Sequence, residues 1–148
     1  MKKIIVTLFL ALAFVGCNDD DKQVDVLVGK WYPQGVIING ENTPYAENSN
    51  CEKDYLQLNE FNSFEIVDYT ESNVVGKTTP VPPCPSQKFY GSYTVINNEL
   101  KFHGSNFFQG GEIVEKSADQ LKLKRMIDVN GDGTDDEVIE VFMKHLAE

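Results

Sequence analysis

The sequence predicts an all-β fold: a single up-and-down antiparallel barrel of about eight strands. From residue 25 onward, apolar and polar residues alternate with a period of two, which sends successive side chains to opposite faces of a strand. The alternating runs are separated by short polar turns, and no segment carries the spacing of a long amphipathic helix. A meander of this kind can close on itself and so remove its exposed edges. The runner-up is a two-sheet sandwich.

The elements follow in chain order. "LVGKWYPQGVIIN" (27–39) is the first strand, with Pro33 bending it or marking an edge. "DYLQLNEF" (54–61) and "FEIVDYT" (64–70) flank Asn62-Ser63, a two-residue hairpin turn. "KFYGSYTVI" (88–96) and "ELKFHG" (99–104) flank Asn97-Asn98, two residues that tolerate positive φ. "GEIVEKSA" (111–118) and "LKLKRMID" (121–128) flank Asp119-Gln120, and "VIEVFMKHL" (138–146) closes the chain. Two longer connections, 40–53 and 71–87, hold Cys51 and Cys84; the second holds four of the six prolines. They read either as a barrel mouth or as covers stapled over it.

The N-terminus points to the cell envelope. Lys2 and Lys3 precede an apolar run from Ile4 to Phe14, too short to span a bilayer and ending at small residues, the pattern of a signal peptide. The boundary Phe14-Val15-Gly16-Cys17 resembles a bacterial lipobox, in which the cysteine is lipidated and becomes the mature N-terminus. The expected organisation is therefore a signal peptide over 1–16, a lipidated tether over 17–25 and a barrel over 26–148. Asn18-Asp19-Asp20-Asp21-Lys22 reads as a solvated tether. It also resembles the acidic export tag of surface lipoproteins in the Bacteroidetes group, so an outer-membrane anchor is expected, with either leaflet open.

Without residues 1–16 the chain has 132 residues, enough for one domain with a real core, and a net charge of −12. That acidity excludes a nucleic-acid partner, whose phosphates need a basic footprint. It also argues against adhesion to an anionic membrane through the protein surface, leaving the lipid as the membrane contact. With Cys17 taken, Cys51 and Cys84 form an even pair in an oxidising compartment, and a disulfide is the expectation. Closing that loop would contribute roughly 3 to 4 kcal/mol. The cysteines and the two histidines, His103 and His145, lack zinc-ligand spacing.

The residues also resemble a family. Gly29-Lys30-Trp31 resembles the GxW signature of lipocalins. "NCEKDYLQLNEFNSFE" (50–65) and "GSYTVINNELKF" (91–102) are similar to the lipocalin-like lipoproteins of the Bacteroidetes. There a Cys-x-Lys-Asp stretch leads into two strands, and a partner cysteine follows some thirty residues on. The resemblance covers 25–146 and implies a small barrel whose interior holds an apolar ligand.

Trp31 reads as a core plug at one end of the barrel, with ligand contact as the alternative. Tyr55, Phe61, Phe64, Phe89, Tyr93, Phe102 and Phe142 share one side by alternation, and in a barrel that side is the interior. Tyr93 and Phe102 are therefore candidate ligand contacts alongside Trp31. Phe107-Phe108 is an apolar pair in a loop, placed to flank a mouth or to tuck into the core. Arg125 is the chain's one arginine and shares a strand face with Leu121, Leu123 and Ile127. Three roles are open to it: a strand-end arginine reaching solvent, a cation stacked under Trp31 as the lipocalin resemblance implies, or an anchor for a ligand carboxylate.

"DVNGDGTDDE" (128–137) places Asp128, Asn130, Asp132, Thr134 and Asp136 like the first ligands of a calcium loop, but Ile139 stands where a bidentate glutamate is required. Between strands it is not an EF-hand. It is either a weak calcium site or a polar turn. No GxSxG or HExxH occurs, and His103 near Ser105 lacks an orienting acid. An enzyme is not expected. The first functional expectation is a binder of a small, mainly apolar molecule. The second is a surface interaction module or enzyme inhibitor working through the loops 40–53, 71–87 and 104–110.

Overall fold

The computed structural model describes residues 26–46, 51–69, 86–104 and 108–144. Among the described residues nine strands run β1 (Gly29–Ile38), β2 (Glu41–Pro44), β3 (Tyr55–Leu58), β4 (Ser63–Asp68), β5 (Gln87–Ile96), β6 (Glu99–His103), β7 (Gly110–Lys116), β8 (Gln120–Ile127) and β9 (Asp136–Met143). Each of β3 to β8 pairs antiparallel with the next, and β1 pairs with both β3 and β9. Eight strands therefore close an antiparallel barrel of lipocalin type. β2 lies outside the ring, continuing the edge of β1 from Gly35 upward where β3 stops at Trp31.

The pattern of connections gives the barrel two unlike ends. The β3–β4, β5–β6 and β7–β8 turns, together with the start of β1, gather at one end. The last residues of β1, β4, β6 and β8 and the first residues of β3, β5, β7 and β9 gather at the other, hereafter the loop end. Asn97 and Asn98 both take positive φ, 51° and 64°, and make the tight β5–β6 turn their residue type anticipates. The β3–β4 turn is longer than expected. β3 stops at Leu58, Asn59 N–H donates to Ser63 O at 2.9 Å, and Phe61 is left at the tip, 91 % exposed. Phe61 thus belongs to the surface, contrary to its reading as an interior aromatic. Tyr55 also leaves the interior set: it faces Tyr32 and carries the Lys30 ammonium 4.0 Å over its ring.

The core fills the turn end and the waist of the barrel. Trp31, Leu27, Leu58, Phe64, Tyr93, Leu100, Leu121 and Leu123 are buried. Trp31 Nε1 donates to Leu27 O at 2.7 Å, so its one polar atom is satisfied inside. Lys144, just past β9, donates from Nζ to Val26 O at 3.0 Å and lies 5.1 Å from the Trp31 ring centre. The cation under the tryptophan is therefore Lys144. Arg125 does not fill that role.

Two bulges break the alternation. The β1–β9 register shifts between Pro33 and Gly35, and the β7–β8 register shifts between Ile113 and Glu115. Pro33 lacks an N–H for the ladder, which accounts for the first.

Cys51 is disulfide-bonded. Cys84, the expected partner, lies outside the described residues, as do Cys17 and the segments 1–25, 70–85 and 105–107.

Candidate ligand cavity

A cavity of about 220 Å³ opens at the loop end. Leu56 and Ile66 reach it from β3 and β4, Phe142 and Glu140 from β9, and Pro33 from the β1 bulge. Phe108 comes down from the β6–β7 connection and packs against Phe102 at 5.1 Å and Phe142 at 6.3 Å between ring centres. Tyr45, Asp54, Tyr55, Val67 and Asp68 complete the rim. Asp54 is buried there because its carboxylate accepts the Tyr69 N–H at 2.5 Å and the Tyr45 hydroxyl. The Tyr69 hydroxyl, donating to Glu52 at 2.5 Å, is pushed up to about 12 by that bond and by burial. These bonds tie the segment before β3 to the end of β4 and fix one side of the mouth.

The polar feature of the interior is an ion pair. Strand parity turns Arg125 of β8 inward with Leu121 and Leu123, as the sequence indicates. The same parity turns Glu140 inward between Val138 and Phe142. Arg125 Nη2 donates to Glu140 Oε1 at 2.6 Å, and the guanidinium lies 5.2 Å from the Phe108 ring centre. Burial pushes the Glu140 carboxyl above its ordinary value, outweighing the opposing pull of Arg125. Arg125 Nε and Glu140 Oε2 are buried and have no hydrogen-bond partner among the described residues. Glu140 was missed in the sequence, although "VIEVFM" places it on the face of two apolar residues.

The remaining candidates fall elsewhere. Trp31 and Tyr93 lie in the closed end. The Tyr93 hydroxyl donates to Asn59 O at 3.0 Å, and burial raises its pKa. Neither is on the cavity wall. Phe102 meets Phe64 edge-on at 4.7 Å and, with Arg125, borders a second and more polar cleft of about 740 Å³ between β6, β7 and β8. His103 points outward to Thr94 Oγ1 at 3.0 Å, and Ser105 lies outside the described residues.

The calcium expectation is overturned. Among the described residues no group of three or more His, Cys, Asp or Glu side chains is placed to hold a metal ion. The loop acids serve the backbone instead. Asp128 accepts N–H groups from Gly131 at 2.6 Å, Asp132 at 3.2 Å and Gly133 at 2.9 Å. Asn130 Oδ1 accepts the Asp132 N–H, and Asp132 accepts the Thr134 N–H, both at 2.8 Å. Asp136 is drawn away to Asn39 Nδ2 at 2.6 Å and Val129 N–H at 3.2 Å. Asp128, Asn130, Asp132, Thr134 and Asp136 form a self-capped turn.

The fold and its loop-end cavity define a lipocalin-type barrel, a class known for carrying ligands rather than for catalysis. Residues 27–123 match the model of the lipocalin-like domain, and the chain belongs to that family. It is similar in fold to a lipocalin-like protein from Bacteroides uniformis ATCC 8492, with a TM-score of 0.51 and 13 % sequence identity, over 81 % of this chain and 99 % of that one. No curated protein matches the chain.

Proposed function

We propose that this chain is a lipid-anchored envelope protein whose barrel takes up one small, mainly apolar molecule at the loop end. The supporting observation is the cavity of about 220 Å³ with Leu56, Ile66, Phe108 and Phe142 on its wall. Pockets for drug-sized ligands run from about 300 to 1,000 Å³. An apolar cavity of about 150 Å³ already takes up benzene. A single ring or a short chain fits between those limits.

The test is calorimetric titration of the purified protein with one-ring hydrocarbons, with native mass spectrometry of the same protein for any molecule carried from the cell. Uptake with a negative heat-capacity change is expected, because apolar surface is buried. Absence of both an adduct and a calorimetric signal would refute the reading. Anchoring rests on residues 1–17. Palmitate labelling should be lost in Cys17→Ala, and retained label would refute it.

A further inference from the structure

We infer that Phe108 is a plug between the ligand cavity and the second cleft, and that it holds the molecule taken up to about one ring in size. This rests on the cavity reading above. The two spaces approach each other at a notch in the barrel wall. Among the described residues β7 pairs with β6 over Glu99 to Lys101 and with β8 from Lys124 downward. β6 runs on to His103 and β8 to Ile127. Past that point β7 no longer bridges its neighbours, and the cleft of about 740 Å³ enters there. Lys101, Glu112 and Lys124 border it from the outward strand faces, and Phe102 and Arg125 from the inward ones.

Phe108 stands between the two spaces. It lies on the wall of the loop-end cavity with Glu140 and Phe142. Its neighbours Phe102, at 5.1 Å between ring centres, and Arg125, at 5.2 Å from the guanidinium, lie on the wall of the cleft. The backbone sets this position. Gly110 takes φ 89°, and a Cβ there would run into Leu100 O, so the chain turns from Phe108 into β7 at a residue that favours glycine. Arg125 is held in turn by Glu140 at 2.6 Å. With the ring in place the apolar space is about 220 Å³. Without it that space runs on into a cleft with polar walls. A longer molecule then keeps one ring against Leu56 and Ile66 and passes a second, polar-ended ring over Phe102.

The experiment is calorimetry on the purified mature protein with two probes: toluene, and 4-phenylphenol, which is longer by one ring and ends in a hydroxyl. The parent is expected to bind toluene at least about tenfold more tightly, the discrimination an apolar wall gives against a group it cannot admit. In Phe108→Ala the affinity for 4-phenylphenol rises by about tenfold or more. Leu56→Ala removes a side chain on the far side of the ring of strands, enlarges the cavity without opening the notch, and gives no such rise. Phe108→Leu keeps more of the packing and carries the same test, with a smaller rise, if Phe108→Ala fails to fold. A parent that binds 4-phenylphenol as tightly as toluene overturns the plug and leaves the cavity reading standing. So does an unchanged affinity for 4-phenylphenol in the folded Phe108 variant, or an equal rise in Leu56→Ala. Toluene bound by none of these proteins overturns both.

Discussion

Removing one member of the Arg125–Glu140 pair should be worse for the barrel than removing both. The two side chains are 24 % and 19 % exposed, so each charge is mostly withdrawn from water. Deleting one partner of a buried pair destabilises by about 3–5 kcal/mol, because the other charge is left uncompensated. Water reaching a fifth of each side chain lowers this to roughly 2–3 kcal/mol. In a barrel of this size that is a fall of about 10 °C in Tm. Arg125→Met with Glu140→Leu removes both charges and both orphan atoms, and such replacements are often neutral or stabilising. Its Tm should equal or exceed that of the parent. Glu140 adds a pH signature. Its carboxyl is raised from the ordinary 4.5, so the folded chain holds the proton more tightly than the unfolded one. This contribution to stability is largest at acid pH and is lost as pH rises from 4.5 through the raised value. Thermal melts of the four members of the cycle across that range would measure both effects. A double variant destabilised by the sum of its singles would refute the reasoning, as would one that keeps this pH-dependent loss of stability.

Lys144→Met keeps the stem but loses the bond to Val26 O and the stacking on Trp31; it should lower stability by about 1–2 kcal/mol, read as a lower denaturation midpoint at constant slope. An unchanged midpoint would make Lys144 a bystander. Gly91→Ala would drive a Cβ into His103 O and to 2.7 Å from Phe64 Cε1, costing about 1–3 kcal/mol; a neutral substitution would mean that β5 and β6 separate easily here. Backbone N–H donors, Gly133 first, hold the Asp128 carboxyl below the ordinary 3.8. Its support of the β8–β9 turn is therefore present above 3.8 and lost as pH falls through the lowered value. The Gly131, Asp132 and Gly133 amide resonances should titrate together with a midpoint under 3.8, and a midpoint at or above it would count against these bonds.

The barrel was legible because its strands are half-buried, and half-burial writes itself as alternation. The inward face of Leu121, Leu123 and Arg125 could be read without coordinates, and so could the Asn97-Asn98 turn. β2 could not: Glu41-Asn42-Thr43-Pro44 is exposed throughout and pairs only through its backbone with β1, so no apolar residue marks it. Bulges hid parity as well. The extra residue at Val114 leaves that side chain 42 % exposed next to the buried Ile113. The calcium loop misled because Asx turns and metal loops use the same short oxygen-bearing side chains, and only the direction of each carboxylate separates them. Arg125 was placed on the correct face with an open role. Its partner, Glu140, is twelve residues past the expected strand end at Asp128, and local pattern does not connect the two.

The two ends of the barrel differ in how completely their polar groups are spent. At the turn end Trp31 Nε1, Val26 O, Lys144 Nζ and the Tyr93 hydroxyl all have partners, and the aromatic residues fill the space. At the loop end a cavity stands near an ion pair in which Arg125 Nε and Glu140 Oε2 have no hydrogen-bond partner among the described residues. Stability gives no reason for that pair, since apolar residues at 125 and 140 would close the same region without orphan atoms. The stability cycle tests this directly: a double variant at least as stable as the parent shows that the barrel does not need the pair, and one that loses stability makes the pair a structural element of the loop end.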